Sequence, residues 1–179
     1  MLSLLKFNNI SPGIILFSLI LFSCGGEKLK KPRVFEGYPE WMDTILVSQD
    51  KIIRSVEPGM TQDEVAEIEN VKSTEGDSLC QYYEFKTDSG YVVTFSYRYE
   101  KNKLSEIEMT IFTENDQTGN ETFNQLLNYY EARFSKPLID KGIYVFSAST
   151  SSGSTAKISI EDRSELQKGV THILVYYEE

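Results

Sequence analysis

Tyr91-Val92-Val93-Thr94-Phe95-Ser96-Tyr97-Arg98-Tyr99 alternates two sets of side chains along nine residues. Neighbours in a strand point to opposite faces of a sheet. Tyr91, Val93, Phe95, Tyr97 and Tyr99 therefore share one face, while Val92, Thr94, Ser96 and Arg98 share the other. Leu79–Lys86 precedes this segment across Asp88-Ser89-Gly90, and Leu104–Phe112 follows it across Lys101-Asn102-Lys103. Both connections have hairpin composition. In the third segment Ile107, Met109 and Ile111 fall on one face, with Glu106 and Glu108 on the other. The pattern predicts a three-stranded antiparallel meander with one wet face, on which Arg98 can meet the two glutamates.

Working outward, Trp41, Met42, Ile45, Leu46, Gln49, Ile52, Ile53 and Val56 repeat at helical spacing, and Pro58-Gly59 stops the run. Thr61-Gln62-Asp63-Glu64 has the form of a capping box, with Met60 and Val65 spaced as a hydrophobic staple and Ile68 and Val71 continuing the stripe. After the meander, Thr118-Gly119-Asn120-Glu121 reads as a second cap. It leads into the stripe of Phe123, Leu126, Leu127, Tyr130 and Phe134, which Lys136-Pro137 ends. Three more strand segments follow, Ile143–Ala148, Ala156–Glu161 and Val170–Tyr177, with a Ser/Thr/Gly-rich hairpin tip at 149–154. The expected class is α+β, with helices packed on one side of an antiparallel sheet. The chain would form a pseudo-repeat of helix plus three strands, in halves of about 40–113 and 118–179 within a single domain 40–179.

The chain has 179 residues, 40% hydrophobic and 12% aromatic, which suits one domain with a real core. Its formal net charge is −9. An acidic surface repels phosphate backbones and anionic headgroups, so no nucleic-acid partner is expected. Attachment to a membrane would have to come from a lipid rather than from basic side chains.

At the N-terminus, Lys6 is followed by Pro12-Gly13 and then by the apolar run Ile14–Phe22, too short for a spanning helix. This is the layout of a secretory signal, residues 1–23. Leu21-Phe22-Ser23-Cys24-Gly25 resembles the lipobox of bacterial lipoproteins. The resemblance implies cleavage before Cys24, a diacylglycerol thioether on its sulfur and an acyl chain such as palmitate on its amine. The protein would then be held in the cell envelope, at the periplasm, with the leaflet and face left open. Gly25 is not an acidic retention residue, so the resemblance points to the outer membrane. Residues 24–39 lack apolar periodicity and are expected to form a tether with a reach on the order of 20 Å.

The search for chemistry returns little. The chain has one histidine and two cysteines. With Cys24 lipidated, Cys80 has no disulfide partner and reads as a half-buried strand residue. His172, in the last strand, lacks the further ligands of a zinc site and the nucleophile of a triad. Ser154-Thr155-Ala156-Lys157 matches S-x-x-K, but alternation puts Ser154 and Lys157 on opposite strand faces. Glu114–Glu121 is acidic and Asn-rich without calcium-loop spacing, and reads as a solvated loop with a helix cap. No catalytic residue, metal or cofactor is expected, and the chain is read as a non-enzyme. Tyrosine is the compositional excess, with 11 residues, and it favours interfaces as well as pleated surfaces. Tyr82, Tyr97 and Tyr99 are the expected interaction surface, for an envelope protein partner.

Val56-Glu57-Pro58-Gly59-Met60-Thr61-Gln62-Asp63-Glu64-Val65 is similar to the helix start of small outer-membrane-assembly lipoproteins, which share a fold with β-lactamase-inhibitor proteins. That resemblance implies two alternatives to a general binding module: an accessory component of outer-membrane protein assembly, or an inhibitor of a secreted hydrolase.

Overall fold

The computed structural model describes residues 34–151, 153–164 and 169–178. One antiparallel sheet dominates it. The strands are β1 (Glu75–Gly76), β2 (Cys80–Lys86), β3 (Val92–Glu100), β4 (Lys103–Phe112), β5 (Leu138–Asp140), β6 (Ile143–Ser149), β7 (Thr155–Asp162) and β8 (Val170–Glu178). Their order across the sheet is β1-β2-β3-β4-β8-β7-β6-β5. The helices are few: α1 (Trp41–Ile45), α2 (Gln62–Glu69) and α3 (Asp116–Phe134).

This corrects the expected class. The molecule is more a sheet-dominated fold than helices packed on a sheet, and a unit of helix plus three strands does not describe it. Four strands come from each part of the chain, because short edge strands β1 and β5 join those the alternation identified. The long helical stripe from Trp41 to Val56 is mostly irregular. α1 ends after 5 residues, and Val47 and Arg54 take φ of 64° and 52°, which no helix accommodates. Leu46, Ile53 and Val56 from this irregular stretch are nevertheless buried. Burial of these side chains overrides the helical spacing.

One sheet face makes the core. Val93, Phe95 and Tyr97 of β3, Ile107, Met109 and Ile111 of β4, Ile158 and Ile160 of β7, and Ile173 and Val175 of β8 are all fully buried there. Trp41 and Met42 of α1, Val65 of α2, and Phe123, Leu126 and Tyr130 of α3 belong to the same core. β3 and β4 join through a tight turn in which Lys101 and Asn102 have φ of 49° and 61°. The register shifts between Arg98 and Tyr99, leaving Ser105 as the extra residue.

Two details correct local expectations. α3 begins three residues earlier than the Thr118 box: Asn115 is the N-cap, its Oδ1 accepting the Thr118 N–H at 3.0 Å. The packed body also starts before residue 40. Phe35 is fully buried, and Val34 and Phe35 donate their N–H groups to Asp43 Oδ1 at 2.7 and 2.9 Å. The capping box at Thr61 is present as expected, with the Thr61 N–H donating to Glu64 Oε2 at 2.7 Å.

α3 reaches β8 through a close approach of two glycines. A Cβ on Gly119 would lie 2.9 Å from Gly169 Cα. Thr171 Oγ1 donates to the Gly119 carbonyl at 3.2 Å, and the Thr113 N–H donates to the Gly169 carbonyl at 2.9 Å. Only glycine lets the helix backbone sit so near the strand.

Candidate functional site

The second sheet face is the candidate site. Strand alternation that sends Val93, Phe95 and Tyr97 into the core leaves Val92, Thr94 and Ser96 half-buried opposite it. The buried residues of all three helices pack on the core face, so among the described residues no helix lies against this second face. Register places its side chains in rungs across the strands. One rung runs Tyr82, Ser96, Glu108, Leu174, Ser159 and Val145; the next runs Glu84, Thr94, Thr110, His172 and Glu161. Hydroxyls, carboxylates and scattered apolar groups are thus mixed on one broad surface.

His172 sits near the middle of this face. It is 4% exposed, with carboxylates of two neighbouring strands beside the ring. Nε2 lies 2.7 Å from Glu108 Oε1, and Nδ1 lies 4.0 Å from Glu161 Oε2. Arg163 Nε in turn donates to Glu161 Oε2 at 2.7 Å. A general base needs a nucleophile within hydrogen-bond reach. The neighbouring Ser159 hydroxyl donates instead to the Leu174 carbonyl at 3.3 Å. Among the described residues, no group of three or more His, Cys, Asp or Glu side chains could hold a metal ion.

At the β3–β4 turn end the face opens into a cleft of about 590 Å³, lined by Arg98, Glu106 and Tyr176 together with Gly59, Lys103 and Ser154. Arg98 and Glu106 pair across β3 and β4, Nε to Oε1 at 3.2 Å, where the alternation put them. A smaller cavity of about 230 Å³ lies among Lys51, Glu57, Arg133, Phe134, Ser149 and Ser151. There Glu57 hydrogen-bonds Lys51 and Ser151, and these bonds hold its carboxyl below the usual range.

The structure separates the three expected surface tyrosines. Tyr82 is 41% exposed on the second face. Tyr97 and Tyr99 are buried on the core face, which removes them from any interaction surface. The Tyr97 hydroxyl donates to Glu69 Oε1, and the Tyr99 hydroxyl donates to Gln81 Oε1 at 2.6 Å. Burial pushes both phenols above their usual range, and the Glu69 carboxylate adds to the effect at each.

Sequence reasoning missed the cluster that holds Tyr97. Arg54 Nε donates to Glu69 Oε1 at 2.7 Å and Nη2 to Glu69 Oε2, while Nη1 reaches the Thr44 and Ile45 carbonyls at 3.2 Å each. The guanidinium lies over the Phe85 and Phe95 rings, 4.4 and 4.9 Å from their centroids. The advance signals were an Arg directly after Ile52-Ile53 and a Glu four residues after Val65, at the spacing of one helix face.

Cys80 is half-buried in β2. Ser154 lies just before β7 and Lys157 within it. The expected signal segment 1–23, Cys24 and the expected tether as far as residue 33 lie outside the described residues. No helix among the described residues is long and apolar enough to cross a membrane. Comparison with protein families, with curated proteins and with solved structures finds no match to this chain.

Proposed function

We propose that this is a lipid-anchored cell-envelope protein, held in the outer membrane through Cys24, whose open sheet face binds a protein partner without catalysing a reaction. The observation that carries the binding part is the second face itself. It spans eight strands, has no helix against it among the described residues, and mixes half-buried apolar groups with hydroxyls and carboxylates. Such a mixed surface matches the composition of non-obligate protein interfaces. Glu106 and Glu161 already pair with Arg98 and Arg163, while Glu84 and the half-exposed Glu108 offer carboxylates to basic side chains of a partner. The anchor is supported by the lipobox-like Leu21–Gly25 stretch after an apolar run.

Two variants test the two parts separately. Cys24→Ala should move the protein from the membrane fraction to the soluble fraction; retention in membranes contradicts the anchor. Tyr82→Ala with Ser96→Arg changes two adjacent positions of one rung. Crosslinked envelopes should yield one partner with the unaltered chain and lose it with this pair, while the unfolding midpoint stays put. Equal capture by both chains, or capture by neither, contradicts the binding face.

A further inference from the structure

The two outer strands of the sheet differ. β1 is Glu75-Gly76, exposed and without an apolar side chain. β5 is Leu138-Ile139-Asp140, and Leu138 and Ile139 are 76% and 64% exposed. No other large apolar side chain among the described residues is as exposed as these two, and they sit side by side on an edge with no further strand beyond it among the described residues. Leu138 points to the open face beside Val145, and Ile139 to the opposite face beside Tyr144. A patch of this kind on a strand edge favours β-sheet extension.

The hairpin turn shows which backbone groups are free. Lys141 and Gly142 have φ of 50° and 84°, so β5 and β6 join through a two-residue turn closed by the pair Asp140–Ile143. A closing pair exchanges both of its hydrogen bonds, and bonded and non-bonded pairs then alternate. The Ile139 N–H and C=O therefore point outward, as does the Pro137 carbonyl.

The charges around this edge are arranged about its centre. Lys136 stands two residues before Leu138 and Asp140 two after it, both exposed. Neither has an ion-pair partner among the described residues. Antiparallel pairing of this edge with itself, Leu138 opposite Leu138, brings Asp140 of each copy beside the bend before β5 of the other, where Lys136 stands. The same register brings each outward Ile139 N–H to the Pro137 carbonyl of the other copy. Pro137 has no N–H to return to the Ile139 carbonyl opposite it, so each Ile139–Pro137 pair carries one hydrogen bond instead of two, and the apolar and charge contacts must supply the rest.

We propose that β5 pairs with β5 of a second copy of this chain, antiparallel and centred on Leu138, so that two sheets join into one. The two-fold axis of such a pair is perpendicular to the sheet, so both open faces lie on the same side. A partner with two equivalent sites, or two partners side by side, would then meet one continuous surface. This inference rests on the edge alone and stands whether or not the open face binds a protein.

The test is crosslinking of the full-length chain in its cells. Leu138→Cys is introduced in a Cys80→Ser background, with Ser147→Cys, exposed on β6, as the matched control and the background chain as baseline. A directly opposed, non-bonded strand pair brings its Cα atoms to about 4.5 Å, within disulfide reach. Leu138→Cys should form a disulfide-linked homodimer several-fold above both controls. Adding Lys136→Glu should reduce that yield several-fold, and Lys136→Glu with Asp140→Lys should restore it. Both charge changes are on exposed side chains, so far-UV circular dichroism should stay unchanged. Crosslinking no greater than that of Ser147→Cys, crosslinking only to a different protein, or a yield indifferent to the charge changes would each overturn the proposal.

Discussion

Two ionic clusters of similar composition occupy opposite faces of the same sheet. On the core face, Arg54 and Glu69 have side-chain exposures of 8% and 0%, and every guanidinium nitrogen of Arg54 donates to a protein oxygen. On the open face, His172 is equally buried, but its partner Glu108 is 38% exposed and shares its carboxylate with water. Desolvating both members of a pair is expensive, and only close geometry with full hydrogen bonding offsets it. The first cluster meets that demand and ties α2 and the irregular 46–56 stretch to β3. The second leaves one member in solvent, where a partner's cation can reach it. Burial, more than residue type, separates a structural ion pair from a surface that can bind.

The largest expected effect breaks the first cluster. Arg54→Met leaves Glu69 buried without a counter-charge and should lower unfolding free energy by about 3–5 kcal/mol in denaturant titration. Arg54→Met combined with Glu69→Leu should recover much of that loss. A double variant as unstable as the single would show that packing, not charge, is at stake.

Next in size is Tyr97→Phe. It removes a hydrogen bond to a charged group, worth roughly 1.5–3 kcal/mol. The same residue sets an alkaline limit. Because burial raises the Tyr97 and Tyr99 phenols in the folded chain, the unfolded chain loses those protons first. Their contribution is whole below about pH 10, the ordinary tyrosine value, and is lost as pH rises above it. Phenolate absorbance should show these two tyrosines ionising only with unfolding, and Tyr97→Phe with Tyr99→Phe should flatten the alkaline fall in stability.

Gly119→Ala comes third. The new methyl meets Gly169 backbone at 2.9 Å, which cannot yield as a side-chain tip would. Overpacking of this kind costs about 1–3 kcal/mol. The effect should appear in thermal unfolding, whereas Asn124→Ala on the exposed side of α3 should leave the midpoint nearly unchanged.

The smallest effect belongs to the open face. Glu108→Gln weakens a half-exposed pair and should change stability by about 0–1 kcal/mol. If it instead matches Arg54→Met in unfolding, the contrast between the two clusters fails.

The sequence carried some of this more openly than the rest. Alternation in 91–99 and 104–112 located β3 and β4, and the Thr61 capping box located α2, because both signals are local. The same alternation that sends Val93 and Phe95 inward carries Tyr97 and Tyr99 with them, so tyrosine's taste for interfaces was the wrong guide there. β1 and β5 have 2 and 3 residues, too few for any period to show. Trp41–Val56 has helical spacing but no glycine or proline at Val47 or Arg54 to mark the breaks. Phe35 is a lone apolar residue without rhythm, and only packing reveals its place. Arg54 and Glu69 meet across 15 residues through a turn that no spacing rule encodes.

The most direct test of the open face is site-specific photocrosslinking in the cell. A photoreactive side chain is placed at Ser96 or Thr110 on that face, and at Asn124 or Asn128 on the exposed side of α3. The account predicts discrete adducts to one partner from Ser96 and Thr110 and none from the helix positions. Adducts of equal strength from α3, or none from the sheet, would contradict it.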